Sequence, residues 1–188
     1  MDLQYESAVE KILCSEQDIK EQVRRVSREI EEYYRKSDKK LLLLGILKGS
    51  VVFMADLMKE LRLPLEVDFM KLSSYGKSAV SSGNIVVKAG LERKDLSDYN
   101  VLIVEDILDT GNTLYWLLDF LKTEHHCADV KICTLLDRPD RREKPVSVDF
   151  GCFTIPDEFV IGYGLDYDEL YRNLPYVGVL KRAIYEKQ

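Results

Sequence analysis

An α/β fold is what this 188-residue sequence predicts: a mainly parallel sheet covered by helices, with a small subdomain built from the chain ends. Short apolar runs alternate with stretches of helical period, the pattern of right-handed βαβ crossovers. Two of the runs, LLLLGIL (41–47) and VLIV (101–104), carry no polar side chain, as strands buried on both faces do. After Pro156 the pattern loses regularity, which suits a separate subdomain shared with the N-terminus.

The elements follow in chain order. Ser15, with Asp18 three residues on, suits a helix-starting capping box. Ile19, Val23, Val26, Ile30 and Tyr33 then recur at spacings of three and four, marking one apolar helix face that ends near Ser37–Asp38. The run 41–47 is a strand, VVFMADLMKEL (51–61) a helix and EVDFMKL (66–72) a strand. SSYGKSAVSSGN (73–84) is rich in Ser and Gly, has little to bury, and reads as a long mobile loop. IVVKAG (85–90) returns from it as a hairpin strand. VLIVED (101–106) is a strand, and the next helix carries Leu114, Leu117, Leu118 and Leu121 on one side. KICTLLD (131–137), VDFGCF (148–153) and EFVIGYG (158–164) are further strands.

The length suits a single domain over residues 1–188, with enough chain to bury a core. Apolar residues make up 46% and charged residues 32%, a globular balance. The apolar runs are too short to span a bilayer, and MDLQYESAVE lacks the basic-then-apolar order of a secretory signal. A cytoplasmic protein with no membrane partner is expected. Cys14, Cys127, Cys133 and Cys152 form no CxxC pair, and His125 and His126 are the only histidines, so zinc-ligand spacing is lacking. Reduced thiols agree with the cytosol. The two histidines read as an exposed helix end. A net charge of −6 disfavours nucleic acid as a partner, although RPDRREK (138–144) forms a local basic stretch.

The chemistry concentrates in VLIVEDILDTGNTL (101–114). Glu105, Asp106 and Asp109 repel one another, and folding alone gives no reason to gather them. In an open parallel sheet, ligands bind beyond the carboxyl ends of the strands. There the strand delivers two carboxylates, and DTGNT (109–113) supplies hydroxyls, a glycine and backbone N–H groups at a helix N-terminus, a cradle for phosphate. A lone ED-x-x-D could merely cap the next helix. The apolar strand before it and TGNT after it favour a ligand with a phosphate at one end and hydroxyls or a metal at the other, as in a ribose 5-phosphate.

This stretch closely resembles the ribose-phosphate signature of type I phosphoribosyltransferases. LKGS (47–50), SSYG (73–76), LLDRPDRR (135–142) and IPDEFVIGYGLDYDELYRNLPYVG (155–178) resemble the 6-oxopurine group of that family, the hypoxanthine-guanine phosphoribosyltransferases, over about residues 10 to 180. The resemblance implies the type I phosphoribosyltransferase fold with a hood subdomain. It implies Mg²⁺-dependent transfer of ribose 5-phosphate from PRPP to N9 of a 6-oxopurine base, giving a nucleoside monophosphate and pyrophosphate. It also implies a homodimer or homotetramer.

The same resemblance assigns roles. Glu105 and Asp106 hold the ribose hydroxyls, and Asp109 is the general base near N7. Thr110, Gly111, Asn112 and Thr113 complete the 5-phosphate cradle, with Asn112 standing where some relatives carry Lys. Lys48 and Gly49 form the pyrophosphate loop, in which the Leu47–Lys48 bond can be cis. Arg172 is a second pyrophosphate ligand, with Arg142 assisting. Asp166 ligates Mg²⁺, and Glu105 and Asp106, whose ribose hydroxyls often also coordinate the ion, count with it as metal residues. Phe159 stacks on the base, while the Val160 and Asp166 carbonyls meet its edge. Ser74 and Tyr75 open the loop that closes over the site. Arg138 stands where the family usually has a Lys donating to purine O6, and Arg is longer and planar, so the ranking of hypoxanthine, guanine and xanthine is open. A regulator that binds PRPP without catalysis shares this fold. The charge of −6 and the presence of Asp109, Lys48 and Phe159 favour the enzyme.

Overall fold

The computed structural model describes residues 6–74 and 85–186. The chain runs β1 (Val9–Cys14), α1 (Glu16–Tyr34), β2 (Lys40–Leu47), α2 (Val51–Glu60), β3 (Leu65–Ser74), β4 (Ile85–Ala89), β5 (Tyr99–Leu108), α3 (Asn112–Glu124), β6 (Asp129–Asp137), β7 (Phe150–Thr154), β8 (Val160–Ile161), β9 (Val177–Leu180) and α4 (Arg182–Tyr185). The main sheet has the order β4-β3-β2-β5-β6-β7. Its pairs are parallel except β3 with β4, the hairpin expected from IVVKAG.

β2 and β5 occupy the centre because both of their faces can be buried. Leu41 and Leu43 of β2 and Leu102 and Val104 of β5 pack toward α1 and α2; Leu42, Leu44, Val101 and Ile103 pack toward α3. The Ser15 hydroxyl accepts from Asp18 N, and the Asp18 carboxylate accepts from Ser15 N, so the capping box forms and starts α1. Ile19, Val23, Val26 and Ile30 are buried as their spacing predicts. The last core residue of α1 is Tyr34, four residues after Ile30; Tyr33 is half exposed and donates from its hydroxyl to Asp129 at 3.1 Å. Both spacings lie on one helical face, and the packing of β7 against α1 chose between them.

Two expectations are corrected. EFVIGYG contributes only the two-residue β8, which joins a second antiparallel sheet, β1-β9-β8, with the chain ends. Turn residues with positive φ at Gly162, Tyr163 and Gly164 break that segment. This small sheet is the subdomain expected from the N-terminus and the tail. His125 does end α3, but it is buried: its Nδ1 lies 2.9 Å from the Arg93 carbonyl and its ring meets Phe120 edge-on.

Candidate active site

β5 runs past VLIVED to Leu108, so Glu105 and Asp106 lie in its last turns of pleat and Asp109 follows in the turn. Gly111 is the N-cap of α3 with φ 82°, a left-handed conformation that glycine adopts without steric cost, and no side-chain hydrogen bond caps the helix. The turn is held from behind. The Thr110 carbonyl accepts from Glu143 N at 2.9 Å and Lys144 N at 3.1 Å. Arg142 Nε donates to the Asp109 carbonyl at 2.9 Å, Nη1 to the Val146 carbonyl, and the guanidinium pairs with Asp137. Arg142 thus braces the turn after β5 from behind and does not line the cavity described below. A guanidinium can brace several carbonyls at once, which neighbouring sequence does not reveal.

Between this edge and the subdomain lies a cavity of about 520 Å³. Asp106, Ile107 and Asp109 line it from β5 and its turn, Arg138 and Arg141 from the segment after β6, and Asp157, Phe159, Val160, Leu165, Asp166 and Tyr185 from the subdomain side. Arg138 is buried and grips Asp109 with two parallel bonds: Nε to Oδ1 at 3.1 Å and Nη2 to Oδ2 at 2.7 Å. Its Nη1 donates to the Glu158 carbonyl at 2.7 Å. The guanidinium therefore ties the turn after β5 to the residue preceding Phe159.

The cavity's neighbours are charged. Burial pushes the Glu105 carboxyl well up, with the Asp106 charge adding to it, and Glu105 Oε2 is buried with no hydrogen-bond partner among the described residues. Burial also raises Asp106 to about 6; Arg172 opposes the rise and Asp166 adds to it. Buried carboxylates held against their preference are a mark of functional sites. The peptide Leu47–Lys48 is cis. Lys48 Nζ pairs with Glu169 at 2.8 Å, and Arg172 Nη2 reaches Asp166 at 2.9 Å and Glu169 at 3.1 Å. Gly49 packs directly on Asp106, since a Cβ there would stand 1.6 Å from Asp106 Oδ2.

Glu105, Asp106 and Asp166 offer only hard oxygen donors. Among the described residues no group of three or more His, Cys, Asp or Glu forms a protein-only metal cage. That set fits Mg²⁺, which is commonly held by one or two carboxylates with substrate oxygens and water completing the shell.

Asp106, Asp109, Arg138, Phe159, Val160 and Asp166 therefore meet in one cavity, with Lys48, Gly49 and Arg172 linked to it through Asp166, Glu169 and Asp106. Glu105 lies beside it, part-buried, with its Oε2 enclosed. Thr110, Gly111, Asn112 and Thr113 form the adjoining turn and helix start; Asn112 Nδ2 donates to Thr110 Oγ1 at 3.2 Å and to Glu143 at 2.8 Å. Ser74 ends β3, and Tyr75 with the rest of the expected closing loop lies outside the described residues. Sequence reasoning did not single out Ile107, Arg141, Asp157, Leu165 or Tyr185 as site residues. Arg141 lies in the basic stretch 138–144, whereas Tyr185 carries no local signal at all.

Residues 12–168 match the family model of the phosphoribosyl transferase domain. The chain is 47% identical over 180 residues to the hypoxanthine-guanine phosphoribosyltransferase of Streptococcus pneumoniae strain R6, covering 96% of this chain and 98% of that protein. It is 46% identical over 178 residues to the Bacillus subtilis hypoxanthine-guanine phosphoribosyltransferase, covering 95% and 97%. A crystal structure of a Staphylococcus aureus hypoxanthine phosphoribosyltransferase superposes with a TM-score of 0.93 at 39% identity, covering all of both chains. A Trypanosoma cruzi hypoxanthine phosphoribosyltransferase mutant complexed with the product IMP superposes with a TM-score of 0.87 at 36% identity, covering 95% and 94%. The fold and these matches together define a transferase of phosphoribosyl groups. The chain belongs to the phosphoribosyltransferase family, within the hypoxanthine-guanine group of the type I fold.

Proposed function

We propose that the chain serves purine salvage by moving the 5-phosphoribosyl group from PRPP to N9 of hypoxanthine or guanine, yielding IMP or GMP and pyrophosphate. The observation that carries this reading is the shared cavity in which the Asp109 carboxylate, Arg138 and the Phe159 ring face one space beside the phosphate turn.

In this reading the 5-phosphate rests on residues 109–113, where backbone N–H groups and the α3 dipole favour an anion. Glu105 and Asp106 accept hydrogen bonds from the ribose hydroxyls, which would give Glu105 Oε2 the donor it lacks among the described residues and add to the one Asp106 has from Ile107 N. Lys48, the Gly49 backbone and Arg172 receive pyrophosphate. Asp166, with Glu105 and Asp106 on the ribose side, would hold Mg²⁺, which would supply positive charge beside the leaving pyrophosphate. The bond from C1′ to pyrophosphate breaks as N9 bonds to C1′, and Asp109 takes the N7 proton. Stabilising the cationic sugar matters more here than a strong nucleophile. Phe159 stacks on the base, and the Val160 and Asp166 carbonyls accept from its edge. Arg138 spends Nε and one Nη2 hydrogen on Asp109, leaving the other Nη2 hydrogen for O6.

The test is nucleotide formation by purified protein with PRPP and hypoxanthine, guanine, xanthine or adenine in separate reactions, with and without EDTA. EDTA-sensitive IMP and GMP formation is the expected result, and the relative rates report what Arg138 selects. PRPP binding with no product from any base would overturn the enzyme reading in favour of a regulator. A homodimer or homotetramer in the cytoplasm belongs to the same reading. No helix among the described residues is long and apolar enough to cross a membrane, and light scattering reads the assembly.

A further inference from the structure

Phe159 is not a lone ring. Tyr185, from the single-turn α4, stacks on it with centroids 4.9 Å apart and planes 22° from parallel. Tyr167 meets Phe159 near-perpendicularly at 5.6 Å, and its hydroxyl donates to the Ile184 carbonyl at 3.4 Å. α4 is also anchored at its start: Lys181 N donates to the Ala8 carbonyl at 3.0 Å and Lys181 Nζ to the Ser7 carbonyl at 2.7 Å. With one face covered by Tyr185, Phe159 is still 38% exposed, and both rings line the cavity that holds Asp109 and Arg138.

An aromatic ring that must stack on a flat base gains from being held at a fixed tilt, because less freedom is lost on binding. Phe159 lies just before the two-residue β8, and its carbonyl accepts from Leu180 N at 2.8 Å, which holds the backbone but leaves the tilt of the ring to its packing neighbours. We infer that Tyr185 is a positioning residue for the purine, fixing the Phe159 ring so that its remaining face is ready for the base. This rests on the function proposed above, and extends the base site to the C-terminal turn. The stack is geometric rather than polar, so the Tyr185 ring matters and its hydroxyl does not.

The experiment compares wild type with Tyr185→Ala, Tyr185→Leu and Tyr185→Phe in steady-state kinetics, varying hypoxanthine and PRPP separately and recording each thermal midpoint. Aromatic pairs contribute enough that losing one should raise KM for hypoxanthine about 3–10-fold in Tyr185→Ala and Tyr185→Leu. The KM for PRPP and kcat should stay within about 2-fold, and Tyr185→Phe should match wild type, as expected for a stacking contact. Leucine keeps apolar bulk, so it carries the test if alanine destabilises the fold. An unchanged or lowered KM for hypoxanthine in both variants would overturn the inference, the lowered value meaning that Tyr185 obstructs the base. So would a parallel rise in the KM for PRPP. Wild type that makes no nucleotide defeats the proposed function itself; active wild type with unaffected variants defeats only the role of Tyr185.

Discussion

Arg138 holds Asp109 in a two-pronged grip, at 3.1 and 2.7 Å, while its third nitrogen reaches the Glu158 carbonyl. Bidentate pairs of this kind fix direction as well as distance. The carboxylate is therefore aimed by a residue that also touches the carbonyl just before Phe159. Asp109→Asn keeps the shape of the side chain and removes its ability to take a proton. It should lower kcat by about 10²–10⁴-fold, the usual worth of a general base. KM for PRPP should change far less. Stopped-time assays with saturating substrates measure this, and a kcat within a few-fold of wild type would remove Asp109 from the proton transfer.

Arg138→Lys restores the residue that the family resemblance leads one to expect. Lysine places one point charge where arginine places a planar fork. It cannot hold both Asp109 oxygens and Glu158 together. The expected outcome is a change of at least about 5-fold in the ratio of kcat/KM between hypoxanthine and xanthine, since site hydrogen bonds discriminate between such bases. A ratio that stays constant would show that Arg138 orients Asp109 without reading the base.

Gly49 and Gly164 form a backbone contact that leaves no room for a side chain. A Cβ on Gly164 would stand 2.0 Å from the Gly49 carbonyl oxygen, and φ at Gly164 is 104°. A Cβ on Gly49 would strike the Asp106 carboxylate. Gly49→Ala should therefore displace Asp106 and raise KM for PRPP by about 10-fold or more, since small misplacements at a reacting site are costly. Gly164→Ala should lower the thermal midpoint, because φ of 104° is strained for alanine, and should also raise KM for PRPP, because its Cβ would press on the Gly49 carbonyl. Kinetics and calorimetry on both variants measure each effect.

The Tyr163 hydroxyl donates to Asp56 at 2.6 Å and so ties the turn bearing Gly164 to α2. Burial raises the Asp56 carboxyl, but hydrogen bonds from Lys59 and Tyr163 outweigh it, and the net shift is below the ordinary 3.8. The folded chain thus holds the charged form more firmly than the unfolded chain does. That stability is present above about pH 4 and is lost as pH falls through the lowered folded value. Asp56→Asn should cost about 1 kcal/mol at pH 7, the net worth of one hydrogen bond in this half-exposed setting. The difference from wild type should shrink below pH 4. Urea titrations at pH 7 and pH 3.5 check it, and an equal loss at both would assign the effect to packing.

Much of the site was legible because its residues are neighbours in sequence. The carboxylates at the end of β5 and the TGNT turn occupy one continuous stretch, and strand period together with helix capping place them without tertiary knowledge. β2 and β5 were readable for a similar reason, since an unbroken apolar run has few alternatives to a central strand. Arg142 was not. Its partners Asp109, Val146 and Asp137 are set by how the segment after β6 folds back on the phosphate turn. A run of basic residues says nothing of which one turns inward.

The sequence by itself determined the α/β class, the carboxylate-bearing strand end with its turn into α3, the capped first helix and the family to which the chain belongs, because local period and contiguous motifs carry that information. Tertiary structure alone decided that Tyr34 and not Tyr33 enters the core, that His125 is buried, that Val160 and Ile161 join the small sheet, and that Tyr185 comes to lie on Phe159. Each of these turns on which surfaces meet across tens of residues. Burial and stacking reward that meeting whatever the separation along the chain, so no local pattern records it.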